Sequence, residues 1–309
     1  MTVTHCNNCP RQCAATRRET RGFCNAGDQL EVASIAIHRG EEPPLSGKKG
    51  VCNVFFAHCN LQCCYCQNNE ISRGSVDTEK VFYHSISEVV DRIQELLPQT
   101  ENVVGLVSPT HYADSVIPLI EAIHDRGLSP TIVYNTNGYD SVEVLQQLAP
   151  YIDIYLPDFK YMDSDLAFRY SSAADYPEKA QLALLEMYSQ KGASLPTDEN
   201  DIAFRGMIVR HLVLPGAVQN SIDCLRWLAD NLGTRIHISL MAQYFPPQTV
   251  GRLPDELNRR LTKQEYQQVV DEFYRLGFSR GWVQELDSSE QFHPDFSQRQ
   301  SFQLMEKKK

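Results

Sequence analysis

Between residues 51 and 285, short apolar runs alternate with stretches whose apolar residues recur every three or four positions. Residues 51–57 read as the first strand. Ile86, Val89, Val90, Ile93, Leu96 and Leu97 share one helical face, with Ser85 and Glu88 as a capping box and Pro98 as the stop. Next come a strand at 102–107, a helix at 113–126 closed by Gly127, and a strand at 131–134. Val142, Leu145 and Leu148 mark a short helix before the strand at 152–156. Residues 163–192 read as helical with a break at Tyr176-Pro177, and a polar loop at 191–205 leads to the strand at 207–214. A helix at 221–231, a strand at 235–241 and a helix at 262–276 complete the series, and Trp282-Val283-Gln284 adds a last short strand. Six strand–helix units in succession predict an α/β fold with a parallel sheet and right-handed crossovers. Six units are too few for a closed eightfold barrel, so the pattern alone leaves an open doubly wound sheet as a rival to a partial barrel.

Composition narrows the class. Hydrophobic residues make up 42% and charged residues 22% of the 309, ordinary for a globular protein with a sizeable core. The net charge of −10 argues against nucleic acid or an anionic membrane as a partner. No apolar run approaches the ~18 residues of a membrane span, and no apolar stretch follows a basic start at the N-terminus. A cytoplasmic protein is expected. Nine of the ten cysteines fall within the first 66 residues, which suits metal binding in a reducing compartment better than disulfides. The chain therefore divides into a cysteine-rich metal-binding extension at 1–48, a barrel at 49–287 and a polar tail at 288–309.

The chemistry concentrates in Cys59-Asn60-Leu61-Gln62-Cys63-Cys64-Tyr65-Cys66. Three thiolates spaced C-x3-C-x2-C on one loop can hold three irons of a [4Fe–4S] cube and leave the fourth open to a ligand. A structural zinc site wants four protein ligands, so it fits less well. With Tyr65 before Cys66 and the run Val54-Phe55-Phe56 leading in, the segment resembles the radical S-adenosylmethionine (SAM) enzymes. The resemblance implies a partial (β/α)6 TIM-like barrel of the radical SAM type, with the cluster held by Cys59, Cys63 and Cys66. It also implies SAM bound at the open iron, reductive cleavage to a 5′-deoxyadenosyl radical, and flavodoxin or ferredoxin as electron donor.

In parallel α/β folds ligands gather at the C-terminal strand ends. That rule selects Ser108, Thr110 and His111 after the second strand, Asn135 and Asn137 after the third, and Asp158 and Lys160 after the fourth. Arg210 on the fifth strand and Gln243 after the sixth complete the candidate SAM-binding set. Thr136-Asn137-Gly138, Asp158-Phe159-Lys160 and Val213-Leu214-Pro215-Gly216 are similar to segments of pyruvate formate-lyase activating enzymes, which makes a glycyl-radical enzyme a candidate partner. Those activases carry Gly-Gly-Glu where this chain has Ser108-Pro109-Thr110-His111-Tyr112, a departure shared with a poorly characterised activase-like branch. The alternatives are radical modification of a small molecule or another protein side chain, and, from another class, a non-catalytic iron–sulfur electron carrier or metal-sensing module.

Cys6, Cys9, Cys13 and Cys24 form a second constellation. Four thiolates can close a structural zinc site or ligate a second [4Fe–4S] cluster, and nearby Arg11, Arg17, Arg18 and Arg21 would offset thiolate charge. Cys64 falls outside the C-x3-C-x2-C register and is expected to face away, while Cys52 and Cys224 read as small core residues. Glu41 and Glu42, before Pro43-Pro44, read either as a solvated loop or as substrate contacts folded over the barrel mouth.

Overall fold

A computed structural model describes residues 5–73, 81–247, 253–286 and Phe296. The tail read at 288–309 lies, apart from Phe296, outside the described residues. The chain opens its sheet with β1 (Val32–His38), passes through α1 (Pro43–Ser46) and returns antiparallel as β2 (Val51–Phe56). After α2 (Asn69–Ser72) and α3 (Ile86–Leu96) come β3 (Val103–Val107), α4 (Ala113–Asp125), β4 (Thr131–Thr136) and α5 (Val142–Leu148). Then follow β5 (Ile154–Pro157), α6 (Ser164–Ser171), α7 (Tyr176–Lys191) and β6 (Gly206–Leu212). The series ends with α8 (Val218–Leu232), β7 (His237–Met241), α9 (Lys263–Arg275) and β8 (Gly281–Val283).

The eight strands lie in sequence order, and β2 to β8 run parallel. Among the described residues β8 does not pair with β1, so the sheet curls without closing. This is the partial TIM-like barrel, with α3 opened by the Ser85–Glu88 capping box. β1 adds a strand that the hydrophobic pattern does not announce, and it ties the end of the cysteine-rich extension into the sheet.

Alternation along each strand sorts the side chains. Cys52, Val54 and Phe56 on β2, with Val104 and Leu106 on β3, join the main core. Their neighbours Val51, Val103, Val133, Ile154 and Ile208 form a second apolar cluster, completed by Leu45 of α1 and by Ile202 and Ala203. The Ala203 amide donates to the Pro44 carbonyl at 2.8 Å, docking the polar loop onto α1. Because His38 pairs with Val51, the loop joining β1 to β2 sits at the N-terminal end of the parallel strands. The barrel thus has an apolar floor plugged by α1, and polar residues only higher up. Cys52 and Cys224 are fully buried in the main core. Among the described residues no helix is long and apolar enough to cross a membrane.

Candidate active site

The loop after β2 turns sharply enough that His58 and Gln62 adopt left-handed backbone angles, φ 70° and 54°. Both are held from outside: His58 Nε2 lies 2.5 Å from Glu31, and the Gln62 amide donates to the Phe23 carbonyl at 2.5 Å. His58 therefore shapes the turn through Glu31. Cys59, Cys63 and Cys66 line one cavity of about 240 Å³. Cys64 does not line it, and its amide donates to the Tyr170 carbonyl at 2.7 Å.

Each cavity cysteine accepts a side-chain hydrogen bond. The Asn137 amide donates to Cys59 at 3.4 Å, the Ser171 hydroxyl to Cys63 at 3.1 Å and the Ser72 hydroxyl to Cys66 at 3.3 Å. Backbone amides two residues on add to this, from Leu61 to Cys59 at 3.4 Å and from Asn68 to Cys66. Burial pushes the Cys66 thiol up to about 12 and raises that of Cys63, so these two favour the protonated thiol when bare. A metal centre supplies the positive charge that deprotonates them. Three cysteines lining one cavity, each accepting a hydrogen bond, are a donor set of the kind that holds a [4Fe–4S] cluster with one open iron.

Ser108, Asn135, Asn137, Asp158, Lys160, Arg210 and Gln243 all line the same cavity. Thr110 and His111 do not. Thr110 turns to the buried Asp140 carboxylate, donating at 2.7 Å, and Thr136 and Tyr134 donate to that carboxylate too. His111 packs behind the cluster loop with Nε2 2.7 Å from the Ala57 carbonyl. Burial drives its pKa down to about 3, so it is neutral there. Asn137 lines the cavity, but its amide is spent on Cys59 and on Asn60 Oδ1 at 2.8 Å.

Lys160 lies 2.5 Å from Asp158. Burial works against its charge, yet Asp158 and the nearby sulfurs outweigh burial and raise its pKa. Both are fixed by Tyr176, a residue the pattern shows only as a helix break. Its hydroxyl lies 2.9 Å from the Asn137 and Asp158 carbonyls and accepts the Lys160 amide at 3.0 Å. Gly138 allows this closeness: at φ 82° it stands where a Cβ would lie 2.2 Å from the Asp158 carbonyl oxygen.

Arg210 does not reach for a ligand carboxylate. Its guanidinium pairs with Glu42 at 2.7 and 2.6 Å and also with Glu41, while Asn53 donates to Glu41 at 2.7 Å. Arg210 exposes 14% of its side chain, Glu41 8% and Glu42 5%. Glu41 and Glu42 are thus neither a solvated loop nor a cover over the mouth, because they rise from the floor. Burial would raise the Glu41 pKa, but Arg210, with His38 and Asn53, holds it below the ordinary carboxylate range.

The sequence profile described as the radical SAM superfamily matches residues 53–197. That stretch runs from β2 through the cluster loop to the end of α7. Over those residues, just under half of the chain, the sequence is similar to radical SAM enzymes. Enzymes of that superfamily use a [4Fe–4S] cluster and SAM, and the donor set at Cys59, Cys63 and Cys66 is in keeping with such a cluster. An uncharacterised protein of Methanocaldococcus jannaschii is 28% identical over 278 residues, covering 86% of this chain and 73% of its own. Streptococcus suis SuiB, solved with its precursor peptide SuiA, shares the fold at a TM-score of 0.51 and 12% identity, over 75% of this chain and 48% of that one. The chain thus spans about half the length of that structure. A domain of pyruvate-formate lyase-activating enzyme from Bacteroides vulgatus matches over 56% of this chain and 92% of its own, at 14% identity and a TM-score of 0.39.

Proposed function

We propose that this protein is a radical SAM enzyme acting on a small polar molecule held between the cluster loop and the Glu41–Arg210–Glu42 floor. Cys59, Cys63 and Cys66 would hold a [4Fe–4S] cluster, which when bound and reduced would supply the electron for reductive cleavage of SAM and so for hydrogen abstraction from the substrate. The chain's own part is positional. Asn137, Ser171 and Ser72 stabilise charge on the sulfurs, Lys160 offers an ammonium to a SAM carboxylate, and Tyr176 fixes the strand tips carrying both ends of that site. Flavodoxin or ferredoxin is the proposed electron donor, in the cytoplasm.

The observation carrying the choice of substrate is the buried charged cluster of Glu41, Arg210 and Glu42 above the apolar floor. An activase for a glycyl-radical enzyme must admit a polypeptide loop, whereas a buried guanidinium flanked by two carboxylates favours a compact polar solute. The test is 5′-deoxyadenosine formation from SAM by anaerobically reconstituted, dithionite-reduced protein, beside Cys63→Ala. Product from wild type alone supports the reading. A full iron–sulfur complement with no product from either sinks it in favour of an electron carrier. Faster product formation with a glycyl-radical enzyme than with any small-molecule mixture would move the assignment to an activase.

A further inference from the structure

The radical site leaves the four N-terminal cysteines unused, and they share its local design. At the radical site, backbone amides two residues on donate to Cys59 and Cys66. The same i to i+2 contact recurs twice in the extension, from the Arg11 amide to Cys9 and from the Ala26 amide to Cys24. Both extension cysteines sit in hydrogen-bonded turns, with Gln12 donating to the Cys9 carbonyl at 3.1 Å and Asn25 to the Gly22 carbonyl at 3.0 Å. Gly22 has its own reason, since a Cβ there would stand 2.4 Å from the Cys13 sulfur. Cys9 lies within electrostatic reach of Cys6, Cys13 and Cys24, so the turns bring the four into one neighbourhood.

A buried cation points at the same spot. Arg17, 8% exposed, donates to the Cys6 sulfur at 3.1 Å, and its one carboxylate ion pair among the described residues is the exposed Asp114 at 3.8 Å. The same guanidinium donates to the His111 carbonyl and lies over the Tyr112 ring, so it pins Cys6 beside the barrel. We propose that Cys6, Cys9, Cys13 and Cys24 form a second metal site, separate from the radical centre, that binds a thiophilic metal through four thiolates. Among the described residues no three side chains already converge on one ion. That holds equally for Cys59, Cys63 and Cys66. Zinc and a [4Fe–4S] cluster share this ligand chemistry, and metal analysis separates them.

The test uses the full chain carrying Cys59→Ala, Cys63→Ala and Cys66→Ala, purified without oxygen and assayed for zinc, iron and acid-labile sulfide. Retention of about one zinc per chain, or of about four irons with matching sulfide, supports the site, provided that adding Cys13→Ser abolishes it. Cys13 is exposed, so that variant is not expected to unfold the chain. No stoichiometric metal, or metal untouched by Cys13→Ser, overturns the proposal. A second readout needs no cluster variant: mapped alkylation of folded wild type should leave Cys13 protected until a chelator or denaturant is added. Labelling at the rate of a free surface thiol overturns the site regardless of whether the radical chemistry is right.

Discussion

The Ser171 hydroxyl donates to the Cys63 sulfur at 3.1 Å, joining the end of α6 to the cluster loop. Hydrogen bonds to cluster sulfurs stabilise the more negative, reduced state. Ser171→Ala should therefore retain its iron but shift the midpoint potential in the negative direction. Redox titration followed by electron paramagnetic resonance reads this directly, and an unchanged or more positive midpoint contradicts it.

Tyr176→Phe removes one oxygen from a buried junction of three backbone groups. A buried group left without its partner costs about 1–3 kcal/mol. A loss of that size should appear in urea unfolding, together with weaker SAM binding, because the tips carrying Asn137 and Lys160 lose their common tie. Full stability with normal SAM affinity would remove Tyr176 from any positioning role.

Gly138→Ala tests the same junction from the backbone. The added carbon meets a carbonyl oxygen, which cannot swing aside like a side chain, at a φ that disfavours any Cβ. Destabilisation of about 1 kcal/mol or more is expected, with SAM affinity falling. Isothermal titration and urea unfolding check both.

Acid should expose the ion pairs of the floor. The Glu41 pKa is lowered in the folded state, so its stabilisation is complete above the unfolded value of about 4.3. It is then lost as pH falls through the lower folded value. Between pH 7 and 5 this group leaves wild-type stability flat. Arg210→Met strands two buried carboxylates, at a cost of about 3–5 kcal/mol, and burial, no longer offset by Arg210, then raises the folded Glu41 pKa. The variant should gain stability on going from pH 7 to pH 5, and urea midpoints at the two values decide.

Much of this was legible in the chain, for identifiable reasons. The parallel strands announce themselves because they are buried on both faces, and the cysteine triplet needs only its spacing. Arg210 also stood out, as a charge inside an apolar run, although nothing local named Glu41 and Glu42 as its partners. β1 escapes because Ala33, Ser34 and Ala36 dilute its alternation and no tight turn links it to β2. Ser72 and Ser171 carry no signal at all. A lone serine gains meaning only when the fold brings residue 171 against residue 63. His111 misled because its position beyond a strand tip suggested a ligand, while its ring turned to the Ala57 carbonyl.

The anchoring of the extension has a consequence in time. Arg11 donates to the Asn60 carbonyl at 3.0 Å and to the Ser171 carbonyl, 160 residues further along, at 3.1 Å. Chains emerge from the ribosome at about 5–20 residues per second. The first four cysteines therefore exist for about 10–30 s before the surface that receives them has been made. During that interval they are bare thiols on an unfinished polypeptide, open to oxidation or to capture by whatever metal is at hand. How this protein is expressed, and with how much oxygen and metal present, is then decided before its last strand is synthesised.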